Sequence, residues 1–371
     1  MANLDSSDPI YAATLAHNYE WLATHHRPCA DRVPDDIRPI DLRDAQSLKR
    51  LCEIGRSAGG VDLVIGGPPC QGFSNANRNS WASRNPHNEL LDVFFRYVRR
   101  LNPAAFVMEN VQGVLWTRRS RTEESAIEKL ARRATGDGYR IFPKLLDAVW
   151  YGVPQFRSRF FLLGIHRDLG YRADDFDEWG PFPYPTHGPV TDVPYVTVHD
   201  AIHDLPQIVN GQQDCEMAYR SPRKTNLFLD AMRRWAVRDA LTDHVTSRHA
   251  EYVIERYRRV PEGGNWANIR DALTNYADVD RTHSNIYRRL AWSEPAVTIG
   301  HYRKSMLVHP SQHRGLSLRE AARLQSFPDW FRFAGSEDGP NGAGLMYKQQ
   351  QLANAVCPLV TKAIADLLAE L

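Results

Sequence analysis

Apolar positions along the first part of the chain follow two rhythms. From Ile10 to Leu22 the residues Ile10, Leu15, Tyr19 and Leu22 recur at helical spacing, which predicts a helix with one apolar face. A polar, proline-containing stretch from Arg27 to Arg38 follows, then a second helical segment near Asp44 to Gly55. Val61-Asp62-Leu63-Val64-Ile65 is a short apolar run closed by Gly66-Gly67-Pro68-Pro69. That pattern predicts a buried strand running into a loop that prolines keep from being helical. Asn88 to Leu101 is again helical, Asn102-Pro103 breaks it, and Ala104 to Met108 reads as another buried strand. Glu123 to Thr135 is an amphipathic helix, Gly136 to Gly138 a turn, and Arg159 to Ile165 a third strand. Strands alternating with helices predict a parallel, doubly wound sheet covered on both faces.

After Arg167 the pattern changes. Residues 170–225 are rich in Pro, Gly, Asp and Tyr, and Pro181, Pro183, Pro185, Pro189 and Pro194 block long elements, so a domain boundary is placed near 170–190. Helical segments return around 226–240 and 248–260, and the last regular pieces are Ser317 to Gln325 and Gln350 to Leu371, both amphipathic. There are no internal repeats.

Composition narrows the class without naming a partner. At 371 residues, two domains are the expected division. Hydrophobic residues at 43% and charged residues at 24% are ordinary for a globular chain and exclude disordered and collagen-like classes. No apolar run approaches the ~20 residues that span a bilayer. Met1 to Pro9 carries no basic-then-apolar leader, so no membrane partner and a cytoplasmic location are expected. Net charge is only +2, yet the 46 basic residues are seven Lys and 39 Arg. Arginine's planar fork suits phosphates and base edges, and coding bias would give the same count. The five cysteines stand at 29, 52, 70, 215 and 357 with no Cys-x-x-Cys pair, which argues against a disulfide framework and a structural zinc site. No metal ligand set is expected. A cysteine that matters here acts alone, as a nucleophile.

Three segments carry chemistry. In Gly66-Gly67-Pro68-Pro69-Cys70-Gln71-Gly72-Phe73-Ser74 a thiol sits at the tip of a proline-stiffened loop at a strand's carboxyl end, where open sheets bind ligands. A buried cysteine acting as a small hydrophobe is the plainer reading of Cys70. In Met108-Glu109-Asn110-Val111 an acid emerges from an apolar strand, where desolvation raises its pKa and makes a proton donor near neutral pH. A helix cap or an edge ion pair is its plainer reading. In Gln155-Phe156-Arg157-Ser158-Arg159 the two arginines point to one face of a strand and suit a carbonyl oxygen or a phosphate; otherwise they are solvated charges.

Together, and in this order, these segments resemble the DNA cytosine-5 methyltransferase family. Arg319-Glu320-Ala321-Ala322-Arg323-Leu324-Gln325-Ser326-Phe327-Pro328 resembles its ninth motif and Gln351-Leu352-Ala353-Asn354-Ala355-Val356 its tenth. Tyr151-Gly152-Val153-Pro154 and Trp292-Ser293-Glu294-Pro295-Ala296-Val297-Thr298 also match, so the likeness covers the chain outside roughly 170–285. The resemblance implies an α/β, Rossmann-like S-adenosylmethionine-dependent methyltransferase sheet with a smaller inserted target-recognition domain. On that reading residues 1–170 and 315–371 form the catalytic domain and 171–314 the recognition domain. It implies that Cys70 attacks C6 of a flipped-out cytosine, that Glu109 protonates the ring, and that Arg159 and Arg157 hold its O2 side. It implies S-adenosyl-L-methionine as cofactor, with Asp41, Pro69, Leu90 and Asn354 lining its site and Asp5 a weaker candidate for the ribose. Ala353, where the family has Gly, and Cys357 before Pro358 are mild departures.

The larger departure is the family's opening strand and Phe-x-Gly-x-Gly-Gly loop, on the order of 25 residues, for which this sequence has no match. A late start codon, a split enzyme whose first piece is a separate polypeptide, and a decayed copy are the competing explanations. The first two fit the intact Cys70, Glu109, Arg157 and Arg159 better. Double-stranded DNA is the implied partner, and residues 220–260 hold ten Lys or Arg against five acids, suiting phosphate contacts. Asn265, Asn268, Arg270, His301, Tyr302 and Arg303 are candidates for reading bases. A restriction–modification or related defence system, with a cognate restriction endonuclease, is the implied setting. A tRNA cytosine-5 methyltransferase is a rival, but its Cys-Phe-Thr tripeptide is missing from this sequence. A non-catalytic DNA-binding subunit is the other.

Overall fold

The structure is a computed structural model. It describes residues 3–5, 9–26, 37–68, 89–113, 125–213, 216–220, 225–236, 240–275, 285–300, 306–335 and 343–371. Elements in chain order are β1 (Asn3–Asp5), α1 (Pro9–His25), β2 (Ile37–Pro39), α2 (Ala45–Ser57), β3 (Leu63–Gly66), α3 (Glu89–Leu101), β4 (Ala105–Asn110), α4 (Ala126–Gly136), β5 (Tyr139–Asp147) and β6 (Ser158–His166). They continue with α5 (Val198–Ile202), α6 (Leu227–Arg233), α7 (Glu251–Arg259), α8 (Leu318–Leu324), α9 (Ala343–Asn354) and α10 (Pro358–Glu370).

The main sheet has the order β3-β4-β6-β5. β3 and β4 are parallel, but β6 runs antiparallel between β4 and β5, so the sheet is mixed rather than all-parallel as the pattern predicts. The reversal follows from the short link between β5 and β6. A 3-10 turn at Ala148–Tyr151 ends on Gly152, whose φ of 76° suits a residue without a side chain. β5 is the strand that periodicity misses. Pro143 interrupts its pattern, and as the outermost strand β5 tolerates a residue without an N–H.

Both faces of the sheet are covered. Phe106, Met108, Phe160 and Leu162 pack under Leu91, Phe94 and Phe95 of α3 and Ile127 and Leu130 of α4. Val107, Phe161, Leu163 and Ile165 pack under Val360 and Ile364 of α10 and under Phe182. Gly164 is required where it stands, because a Cβ there would lie 2.1 Å from the Phe106 ring. β3 breaks the pattern. Ile65 pairs with Val107 and so shares its face, yet Ile65 is 71% and Leu63 40% exposed, and β3 is an edge of the sheet. β1 and β2 pair in parallel as a second, two-stranded sheet.

The carboxyl-terminal stretch, expected as one amphipathic piece from Gln350, is two helices. Pro358 opens α10, lacks an N–H and disfavours helix in the residue before it, so α9 ends at Asn354. α8 is not amphipathic: all seven of its residues are buried. Its capping box joins Ser317 and Glu320, and its charges are paired inside. Arg323 reaches Asp204 at 2.5 Å and Asp329 at 2.7 Å, and Glu320 meets Arg314 at 2.7 Å. Leu318, Ala321 and Leu324 share one core with Val198 and Ile202 of α5, Phe228 and Met232 of α6, and Leu307. Tyr171, Phe176 and Trp179 pack on the sheet. Packing is therefore continuous across both 170 and 314.

Candidate active site

β3 and β4 are parallel, so Gly66 and Asn110 lie at the same end of the sheet, and the reversed β6 begins there with Ser158 and Arg159. Arg159 Nε lies 3.0 Å from Glu109 Oε1, and each side chain is 17% exposed. Burial pushes the Glu109 carboxyl above its ordinary range, and the Arg159 and Arg157 charges pull it back only in part. The link leaving β3 starts against this acid. A Cβ on Gly67 would lie 3.2 Å from Glu109 Oε2, and Asn110 Nδ2 donates to Pro68 O at 3.1 Å. Cys70 and Pro69, the nucleophile and pocket residues expected from the sequence, lie outside the described residues. The structure thus unites Glu109, Arg159 and the start of the Cys70 loop. A buried acid with a raised pKa beside a guanidinium suits donation to a ring nitrogen while the guanidinium holds an adjacent oxygen.

Arg157 differs from its expected role as an open base contact. It is 2% exposed, and Nη1 donates to Ile299 O at 2.8 Å. Nη2 donates to Ala353 O at 2.7 Å and Ala355 O at 3.0 Å. Its guanidinium is spent on main chain, tying β6 to the 296–299 segment and to the α9–α10 break. Burial lowers its pKa to about 10, so it stays charged at neutral pH. Beside it Cys357 is buried, and burial raises that thiol to about 11, which leaves it unreactive.

Sequence reading misses three residues that hold this corner. Asp147 accepts from the Arg157 N–H at 3.0 Å and the Ser158 hydroxyl at 2.5 Å. Gln155, fully buried, donates to Leu324 O and accepts from the Ile299 N–H. Asn110 closes the β3 side. Gln155 shares the strand face of Arg157, which is the signal that was available.

On the expected cofactor side, Asp5 ends β1 opposite Pro39, which places it in the same sheet as the chain leading to Asp41. Leu42 and Leu90 pack in one small apolar cluster with Leu51 and Tyr97, and Arg96 donates to Leu42 O. The Asp41 loop therefore meets the start of α3. Asp41 is forked by Arg43 at 2.7 Å, and that hydrogen-bonded pairing holds its carboxyl near 2. An exposed acceptor that is ionised at neutral pH, beside two half-buried leucines, suits the adenosine half of a nucleoside cofactor. Asn354 is exposed between the two alanines whose carbonyls Arg157 binds.

The basic stretch is less free than its composition implies. Arg233 pairs with Asp204, Arg258 with Glu251 and Glu255, and Arg259 with Asp271. Arg256 is buried against Ala272 O, Asn275 and Tyr287. Arg220, Arg234 and Arg248 are exposed; Arg223, Lys224 and Arg238 lie outside the described residues. Asn265 and Asn268 cap one another's turn, and Arg270 lies over Trp266. His301, Tyr302 and Arg303 lie outside the described residues.

Against known proteins, the family model for C-5 cytosine-specific DNA methylases matches residues 35–370. The chain belongs to that family. It is a DNA (cytosine-5-)-methyltransferase that uses S-adenosyl-L-methionine as methyl donor, and its mixed α/β sheet is that of the methyltransferase fold. It is 31% identical to the type II methyltransferase M.AgeI of Thalassovita gelatinovora, over 96% of this chain and 94% of that protein. It is 28% identical to M.DdeI of Desulfomicrobium norvegicum, over 92% and 78%. Among solved structures, it superposes on a protein described as a DNA modification methyltransferase encoded within an E. coli prophage. That match has a TM-score of 0.64 and 25% identity, covering 90% of this chain and 85% of that one. Among the described residues, no single helix is long and apolar enough to cross a membrane, and no group of His, Cys, Asp or Glu forms a metal cluster.

Proposed function

We propose that this methyltransferase works through a covalent adduct at Cys70 on a cytosine swung out of duplex DNA. The observation that carries the reading is the Glu109–Arg159 pair, with the link to Cys70 starting against the Glu109 carboxylate. The Cys70 thiolate forms a bond to C6 while the C5=C6 pair becomes C4=C5, the C4=N3 pair moves onto N3 and N3 takes the Glu109 proton, leaving an enamine nucleophilic at C5. S-adenosylmethionine, when bound, supplies the electrophilic methyl group that C5 takes. A base then removes the C5 proton, its electron pair restores C5=C6, Cys70 leaves as thiolate and N3 returns its proton to Glu109. Arg159 holds the O2 side, and Arg157 positions the strand that carries it. Asp41, Leu90 and Pro69 line the adenosine site and Asn354 the methionine end. Transfer of labelled methyl groups to DNA is expected from the wild type and lost in Cys70→Ala; robust transfer by that variant would remove Cys70 as nucleophile.

We assign target recognition to 171–314 and catalysis to 1–170 with 315–371. The type II naming of the relatives supports a place in a restriction–modification or related defence system; with that setting we place a cognate endonuclease as counterpart and the cytoplasm as location. A second reading, a two-part enzyme, is favoured by the exposure of Leu63 and Ile65 on β3, which is an edge strand among the described residues. A separate polypeptide bringing the glycine-rich loop would add its strand along that open edge and cover Leu63 and Ile65. Calorimetry decides between them. Tight cofactor binding by this chain alone speaks against the two-part reading, and DNA binding without cofactor binding speaks for it.

A further inference from the structure

Phe156 stands between fully buried Gln155 and buried Arg157, yet it leaves 43% of its own surface exposed. It is not a loose side chain. Its N–H donates to Ala296 O at 2.8 Å, and its carbonyl accepts from the Thr298 hydroxyl at 2.7 Å. Its ring meets Tyr195 edge-on, with centroids 5.9 Å apart and planes at 80°. Tyr195 is braced in turn by Gly188, where a Cβ would lie 2.5 Å from its ring. Phe156 stands three positions before Arg159, roughly 10 Å along extended chain, which puts its main chain at the Glu109 end of the sheet. A braced, exposed aromatic face at that end of the sheet is costly to leave in water and suits a flat partner.

We propose that Phe156, backed by Tyr195, is a stacking contact for a nucleotide of the substrate DNA beside the one that is methylated. The inference rests on the reading that the duplex meets the Glu109–Arg159 end of the sheet, and continuity with that end selects DNA as the occupant. Every base has a π-face, so the ring contributes affinity and not sequence choice.

The test is fluorescence anisotropy with labelled, unmethylated duplexes and S-adenosylhomocysteine, comparing wild type with Phe156→Ala, Phe156→Leu and Phe156→Trp. Ala and Leu are expected to weaken binding about tenfold and Trp to hold it within about twofold. The salt dependence should not change, because no phosphate contact is lost. Wild-type affinity in both Ala and Leu overturns the inference. Should Ala lower the melting temperature, Leu, which keeps the packing on Tyr195 but has no π-face, decides. A wild type that does not bind DNA defeats the duplex reading and this inference with it.

Discussion

Replacing Arg157 by Met tests whether this arginine is a staple or a base contact. The methionine keeps the apolar stem and removes three hydrogen bonds of 2.8, 2.7 and 3.0 Å to the carbonyls of Ile299, Ala353 and Ala355. Each carbonyl left buried without a donor costs about 1–3 kcal/mol, less where water enters. Partial relaxation at the α9–α10 break brings the expected loss to about 3–5 kcal/mol, a large share of the ~5–15 kcal/mol that holds a domain folded. Arg157→Lys keeps the charge but offers one ammonium to three acceptors, so about half that loss is expected. Urea unfolding followed by circular dichroism, with slopes compared so that the midpoints report stability, measures both. A loss below about 0.5 kcal/mol in Arg157→Met would refute the staple. A stable variant that lost only DNA or base affinity would return Arg157 to the role the sequence suggests.

Gly164→Ala puts a Cβ 2.1 Å from Phe106 in the centre of the sheet, so thermal unfolding should show a loss of at least about 2 kcal/mol; an unchanged melting temperature would contradict the packing. In the proposed mechanism Glu109 acts in its protonated form, and Arg159 is one of the charges restraining its pKa. Arg159→Gln should therefore lower the methyl-transfer rate and move the alkaline limb of its pH profile upward; a limb that stays or moves down would exclude Glu109 as the titrating acid. Asp41→Asn removes a carboxylate that is ionised throughout pH 5–8, so calorimetry should show cofactor binding weakened about fivefold, evenly across that range. An effect that varies with pH would point to another group.

Much of the arrangement is legible in the residues themselves. Phe106 announces a buried strand because its neighbours are apolar on both faces; the run around Val64 announces a strand but not its burial, since Leu63 and Ile65 are exposed, and Gly67-Pro68 announces the loop because neither residue extends a helix or strand there. Glu109 is placed correctly by the end of its apolar run. What fails depends on contacts far apart in sequence. The reversal of β6 is set by the turn at Gly152, and β5 is hidden by Pro143, tolerable only on an edge that the sequence does not identify. Arg157 and Arg159 look equivalent two residues apart, yet one is drawn inside by carbonyls nearly 200 residues away and the other meets Glu109. α8 looks amphipathic because Arg319, Glu320 and Arg323 read as solvent-facing, whereas Asp204, Arg314 and Asp329 receive two of them inside. Two of the basic residues in 220–260, Arg233 and Arg259, are met by Asp204 and Asp271, which lie outside that window.

The central claim is the bond between Cys70 and C6. Duplex DNA carrying 5-fluorocytosine can accept the thiolate and the methyl group but cannot release fluorine as a cation, so the adduct should persist. Incubation with S-adenosylmethionine, followed by denaturing electrophoresis and peptide mass spectrometry, reads it directly. The account predicts a denaturant-stable protein–DNA complex whose modified peptide contains Cys70, and no complex from Cys70→Ala. A complex formed by that variant, or turnover on ordinary cytosine with no trapped complex on the fluorinated base, would contradict it.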